Sequence, residues 1–306
     1  MPGVRPTRSP TVFGVHTGPS NTTVEELRSL WRRVEDGPYD WISIWDHLAA
    51  ADGVSTANFE AVALHAALAL TTARVRVGCL VYCASYRHPA VIAKAVTTID
   101  HLSGGRCEVG LGAGWAQFEY DAYGFAWHGA PHRLDVLDEA AACVRSLLHH
   151  DRTSFEGRHF RLVDAANDPR PIQARMPVWI GGGGERRTLR IVAERADGWN
   201  VPFVSPEVFA AKSRVLDGHC EEIGRDPTEI RRSVNVGCAP DEASLERQFG
   251  HTAPFVRPGV LTGSTSEMVD RLGAYIDAGA HQINLALRAP FELAALDHLT
   301  EAIGSL

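Results

Sequence analysis

The chain has 306 residues, 45% of them hydrophobic, which is ample for a large buried core. Its 30 basic and 37 acidic residues leave a net charge of −7, scattered without a basic run, so nothing points to a nucleic-acid surface. No apolar run reaches the roughly 18 residues of a membrane span, and the N-terminal MPGVRPTRSP has no apolar leader behind its arginines, so a cytoplasmic enzyme or small-molecule-binding protein is the expectation.

In chain order, short β-branched runs alternate with longer amphipathic segments. TVFGVH (11–16) reads as a strand, and 23–36 as a helix capped by Thr22 or Thr23. WISIW (41–45) is a second strand, followed by a helix over 58–72 opened by Asn58. VRVGCLVYC (75–83) is the third, and 88–103 its helix, with Pro89 in the first turn. RCEVGLG (106–112) is the fourth; a long loop then leads to a helix over 132–150. The segment 151–177, with turn residues and two short strand-like pieces, reads as an excursion. The rhythm resumes with strands at 178–183, 198–203, 230–239 and 281–288, and helices at 185–196, 206–224, 264–279 and 291–304. Ser264 and Glu267 have capping-box spacing. Eight strands, each followed by a helix, fit one α/β domain over 1–306: a (β/α)8 TIM barrel with insertions, or in second place a doubly wound sheet.

The six cysteines (79, 83, 107, 143, 220 and 238) form no CxxC pair and read as small core residues, with Cys83 set apart by its place at a strand end. There is no HExxH, GxSxG or GxxxxGK[ST]. HHD at 149–151 suits a solvated helix terminus, so no metal site is expected.

Chemistry in a barrel gathers at the C-terminal ends of the strands. Those ends carry His16, Asp46 and His47, Cys83 to Arg87, Gly112 to Trp115, Gly181 to Gly184, Trp199 and Asn200, and Arg288. GLGAG is not the GxGxxG of a dinucleotide loop and follows the fourth strand rather than the first. Four glycines at 181–184, entering a helix, form a turn suited to a phosphate. A histidine beside a carboxylate at a strand end suits acid–base work.

WISIWDHLAAADG, VGCLVYCASYRHPAVIAKAVTTIDHLSGGRCEVGLGAGW, HRLDVLDEA, PVWIGGGGERRTLRIVAERADGWN and LTGSTSEMVDRLGAYIDAGAHQI occur in this order from about residue 11 to 290. With these pieces the sequence resembles the luciferase-like oxidoreductases, and within them the class using the deazaflavin coenzyme F420. The resemblance implies a ring at the strand C-termini, its phosphate held by Gly181, Gly182, Gly183 and Gly184, and Gly112, Ala113 and Gly114 lining ring and side chain. It implies a non-prolyl cis peptide on the third strand at Leu80–Val81, behind the ring. His47 and Asp46 would be the catalytic pair, with Asp46 also a cofactor contact. His16, Trp45, Tyr82, Trp115, Trp199 and Arg288 would form the substrate pocket, with Tyr120 and His128 as further contacts. One deazaflavin branch, the sugar-phosphate dehydrogenases, carries a glutamate where Trp115 stands, so a different small-molecule substrate is expected. Glu119 is then either a substitute acid or a loop-surface carboxylate. The expectation is hydride transfer with F420; alternatives are a monooxygenase using reduced FMN and oxygen, and a non-catalytic flavin-binding relative. The family resemblance also implies a homodimer.

Overall fold

The computed structural model describes residues 11–50, 55–239 and 241–306; residues 1–10, 51–54 within the AAADG motif and residue 240 lie outside the described residues. The strands are β1 (Val12–Thr17), β2 (Trp41–Ile44), β3 (Arg76–Cys83), β4 (Cys107–Gly112), β5 (Thr153–Glu156), β6 (Arg161–Ala165), β7 (Val178–Gly181), β8 (Gly198–Pro202), β9 (Arg231–Cys238), β10 (Val260–Leu261) and β11 (Gln282–Leu287). In the order β1-β2-β3-β4-β7-β8-β9-β11, eight of them pair in parallel, and β11 returns to β1. That closure makes a (β/α)8 barrel and removes the doubly wound alternative. The short β10 lies beside the end of β9. β5 and β6 pair antiparallel within the 151–177 excursion, where the Glu139 carboxylate accepts from the N–H groups of Arg158, His159 and Phe160. Among the described residues, no helix is long and apolar enough to cross a membrane.

The outer helices follow their sequence signals closely. Thr23 and Glu26 form a capping box on helix Val24–Glu35, whose Leu27, Leu30, Trp31 and Val34 make one buried stripe. Ser264 and Glu267 do the same for helix Thr265–Asp277. Asn58 does not open its helix: Glu60 caps Ala61–Thr71, its carboxylate accepting from the Ala63 N–H. The Asn58 amide instead donates to the His47 carbonyl and accepts from the Ser20 hydroxyl, bracing the exit of β2. Helix Gln117–Tyr123 occupies the loop after β4, where the hydrophobic pattern is too short to announce it.

Two indoles, Trp41 and Trp179, fill the lower barrel with ring centroids 5.9 Å apart. The buried Glu108 carboxylate accepts from the Trp179 indole N–H and pairs with Arg76 and Arg231. Against the Trp41 ring, β3 carries Gly78, where a Cβ would lie 2.7 Å from Trp41 Cη2 and closer still to Cζ2. Interior space set by a whole tryptophan leaves no slack for a methyl group. Above this layer an amide ladder crosses the barrel: Gln282 donates to Asn284, while Asn284 and Asn200 both donate to Ser233 Oγ and Asn235 Oδ1 at 2.8–3.1 Å. Overpacking of this kind costs about 1–3 kcal/mol. Gly78→Ala is therefore expected to lower the unfolding free energy by that amount, read as a lower urea midpoint, while leaving the upper cavity's ligand binding intact; an unchanged midpoint would show that Trp41 can move aside.

Candidate active site

A cavity of about 610 Å³ opens at the C-terminal ends of the strands. Its floor comes from β3. Pairing of β3 with β4 shifts register between Cys79 and Tyr82, and the Leu80–Val81 peptide within this step is cis. Leu80 and Val81 both face the cavity, where plain strand alternation would admit only one. Val81 is seated between the exits of β4 and β7: a Cβ on Gly181 would fall 2.7 Å from Val81 Cγ1, and one on Gly112 would press on Val81 Cγ2. The result is an apolar shelf flanked by bare backbone, a surface on which a planar ring can lie close to the main chain.

The same shift corrects one sequence expectation. Tyr82 faces outward, fully buried, with its hydroxyl 2.9 Å from His65 Nδ1, and does not line the pocket. Trp199 is also outside it. Its indole stacks on Phe209 at 5.4 Å, with Nε1 donating to the Gly182 carbonyl, because Asn200 takes the inward position on β8. Tyr120 is buried against Cys83, and the His128 ring lies tilted against His132 at 3.9 Å, both away from the cavity lining. His16, Trp45, Asp46, His47, Gly112, Ala113, Gly114, Trp115, Gly181, Gly182 and Arg288 all line it. Gly183 and Gly184 continue the β7 turn beyond the lining, Lys212 Nζ donating to the Gly183 carbonyl at 2.8 Å. Thr188, at the start of the following helix, brings its side chain to the cavity edge. Sequence reading had no signal for Thr188, Asn235, Phe203 or Phe255, which also line the site. Asn200 was legible as a strand end, and the parity of β8 is what distinguishes it from Trp199.

Asp46 and His47 leave β2 in different directions. Asp46 is buried and receives both Arg87 guanidinium nitrogens, at 2.6 and 3.1 Å, with the Cys83 N–H at 2.9 Å. Burial pushes its carboxyl upward; the two-toothed Arg87 contact and the N–H oppose that, and the geometry is that of an ion pair. His47 turns into the cavity between two indoles, its ring centroid 6.4 Å from Trp45 and 5.4 Å from Trp115, both edge-on. Its Nδ1 lies 3.0 Å from Glu119 Oε2.

Glu119 is no surface carboxylate: its side chain is 0% exposed. The chain reaches this place because Gly114 turns in the left-handed region at φ 75°, where a Cβ would come within 2.7 Å of Cys83 Sγ. Trp115 is thereby thrown outward, 61% exposed, and the first turn of helix Gln117–Tyr123 delivers Glu119 behind His47. Oε1 accepts from the N–H groups of Leu48 and Ala49 at 2.6 and 2.9 Å, and Oε2 also accepts from Tyr86 Oη at 2.6 Å. Burial works to raise this carboxyl, but its hydrogen bonds with His47, Tyr86 and Ala49 outweigh that and hold it below the usual range.

Across the cavity, burial, reinforced by the charges of Arg288 and His47, brings His16 down to about 3, so its ring is neutral; Nδ1 shares a hydrogen bond with Ser43 Oγ at 2.8 Å. Burial likewise raises the Cys83 thiol to about 11, leaving it protonated beside Tyr120 Oη. Arg288 lies over the Trp45 and Phe249 rings, one guanidinium nitrogen 3.2 Å from Thr252 Oγ1.

The family model for luciferase-like monooxygenases matches residues 8–303. An F420-dependent glucose-6-phosphate dehydrogenase from Microbacterium testaceum is 30% identical over 246 residues, 78% of this chain and 72% of its own. The pyrimidine monooxygenase RutA from Cronobacter sakazakii is 32% identical over 207 residues, 65% of this chain and 57% of its own. Among solved structures, an F420-dependent secondary alcohol dehydrogenase in complex with an F420-acetone adduct superposes with a TM-score of 0.86 at 19% identity, covering 96% of this chain and 98% of its own.

A carboxyl held low in the folded state contributes stability above its unfolded value, about 4.3, and loses it as pH falls through the folded value. Glu119→Gln is accordingly expected to cost about 1–3 kcal/mol at pH 7. The gap between variant and wild-type urea midpoints should close as the pH is taken below 4. A gap independent of pH would mean that the carboxylate's charge contributes nothing.

Proposed function

The chain belongs to the luciferase-like monooxygenase family, and on that premise we propose that it is an oxidoreductase dependent on coenzyme F420, passing a hydride between the deazaflavin and a small organic substrate. When bound, a deazaflavin supplies two-electron hydride chemistry and does not activate oxygen. The protein's contribution is then to bind, orient and exchange a proton. Leu80 and Val81 offer the shelf for the ring, and the bare exits of β4 and β7 let it approach the backbone. The β7 turn with Thr188 suits the phosphate, by virtue of its glycines and the helix that follows. These residues fit the group.

The observation that carries the reading is His47, one ring nitrogen engaged by Glu119 and the ring itself facing the cavity above the apolar shelf. There it can give a proton to a substrate or take one in the reverse direction. The neighbouring indoles, Trp45 and Trp115, favour a substrate with an apolar face over a sugar phosphate. A second reading, a monooxygenase using reduced FMN and oxygen, draws support from the 32% identity to the pyrimidine monooxygenase and from a phosphate turn that suits either cofactor.

Titrating the purified protein with F420 and with FMN, followed by cofactor fluorescence, separates the two: saturable F420 binding is expected, and tight FMN binding without any response to F420 would overturn the proposal. His47→Ala is expected to keep F420 binding while lowering turnover, followed as F420 oxidation or reduction, by about 10²–10⁴-fold. Unchanged turnover removes His47 from the chemistry.

A further inference from the structure

Glu119 belongs to no step described so far, yet it is among the most completely satisfied groups in the upper barrel. We propose that Glu119 is the positioning residue of the site, fixing His47 in the Nδ1–H tautomer with Nε2 left for the cavity, while the donors gathered around the carboxylate keep it ionised. The proposal concerns the state of the imidazole and rests on the F420-dependent reading only for its kinetic consequence.

Donor counting leads to this tautomer. The N–H groups of Leu48 and Ala49 can only donate, and together they occupy Oε1 at 2.6 and 2.9 Å. Oε2 has two neighbours, Tyr86 Oη at 2.6 Å and His47 Nδ1 at 3.0 Å. An ionised Glu119 accepts from all four, and every contact is then a charge-assisted hydrogen bond. A protonated Glu119 would have to place its hydrogen on Oε2 and give up one of those donors in a fully buried position. Tyr86 stays a donor because burial and the nearby Glu119 charge push its phenol far above its ordinary range. With Glu119 ionised, Nδ1 must carry the hydrogen.

The rest of the surroundings agree. The His47 carbonyl is held by the Asn58 amide, and the ring stands edge-on to Trp45 and Trp115, so it has few other orientations. Nε2 makes no hydrogen bond among the described residues. The other titratable groups nearby have their own roles: Asp46 is paired with Arg87, His16 is neutral against Ser43, Cys83 is a protonated thiol, and Arg288 lies across the cavity by Trp45. When the substrate is protonated, the doubly protonated ring loses its Nε2–H as a bond to hydrogen forms on the substrate, leaving the neutral Nδ1–H tautomer. In the opposite direction the Nε2 lone pair of that tautomer takes the proton and the ring becomes the imidazolium. Glu119 gains no proton in either direction, and Nδ1–H stays in place throughout. A glutamate acting this way does not touch the substrate, and its effect passes entirely through the imidazole.

The test is long-range ¹H–¹⁵N correlation on the full-length protein labelled with ¹⁵N-histidine, the His47 signals being assigned by their loss in His47→Gln. The neutral ring of the wild type is expected as the Nδ1–H tautomer, and Glu119→Gln is expected to shift it wholly or partly to Nε2–H. Tyr86→Phe leaves three donors on the carboxylate and should keep Nδ1–H, so the proposal stays open to test even where Glu119→Gln folds poorly. An Nε2–H wild type, or a tautomer indifferent to Glu119→Gln, overturns it. In turnover with F420, Glu119→Gln should lower kcat about 10–100-fold, leave the F420 Kd unchanged and move a limb of the kcat–pH profile to lower pH. A fall in kcat with no movement of the profile would reduce Glu119 to a structural part. The NMR result is independent of cofactor identity, so a failure of the F420 reading leaves it standing, and its own failure leaves that reading untouched.

Discussion

The upper barrel depends on a buried carboxylate and the four hydrogen bonds that make it tolerable. An ionised group removed from water is costly unless its lone pairs are met. Glu119 meets this condition by drawing on two different loops: His47, Leu48 and Ala49 after β2, and Tyr86 after β3, while Glu119 itself comes from the segment after β4. Three adjacent exits are thereby tied at one point. The requirement to satisfy Glu119 also orients the side chain most suited to chemistry, so the stability of this corner and the state of His47 are one physical problem.

The same solution recurs at other heights in the barrel. Glu108 at the bottom pairs with Arg76 and Arg231, and Asp46 above it takes both arms of Arg87. Each acidic side chain that enters the interior is met by cations or hydrogen-bond donors from a neighbouring strand or loop. The cavity's field is consequently not that of a naked carboxylate. It has a neutral His16, the amides of Asn200 and Asn235, and the guanidinium of Arg288 against apolar walls. Such a lining accommodates an anion or a flat, weakly polar ring far better than it does a cation.

Much of this was legible in the sequence. Eight alternating runs and their helices specified the barrel, and the residues at the strand ends meet in one cavity because closure forces them to. Errors arose where strand parity was the deciding fact. On β3 the register shift sends Tyr82 outward, and on β8 the inward place belongs to Asn200. Hydrophobic pattern cannot settle parity in a strand buried on both faces, since inward and outward positions are equally apolar. The contacts of Glu119 and Asn58 were not legible for a different reason. Their partners lie 72 and 11 residues away, and a contact of that kind leaves no periodic trace in the chain.

Trp115 gains its meaning from this arrangement. A carboxylic acid standing directly after the last glycine of the β4 exit would face the cavity and could donate a proton itself. Here that position carries an indole turned out to 61% exposure, and the carboxylate arrives one helical turn later, behind the imidazole rather than beside the substrate. On the proposed reading, an acid placed four residues further along serves as a support for the imidazole rather than as a donor. An unperturbed imidazole titrates near 6.5 and an unperturbed carboxyl near 4.3. As a residue type an imidazole suits proton exchange near neutrality, whereas a carboxyl would need its affinity raised by burial before it could hold a proton there. Here the carboxylate stands behind the imidazole instead, held low by its hydrogen bonds against the effect of its burial.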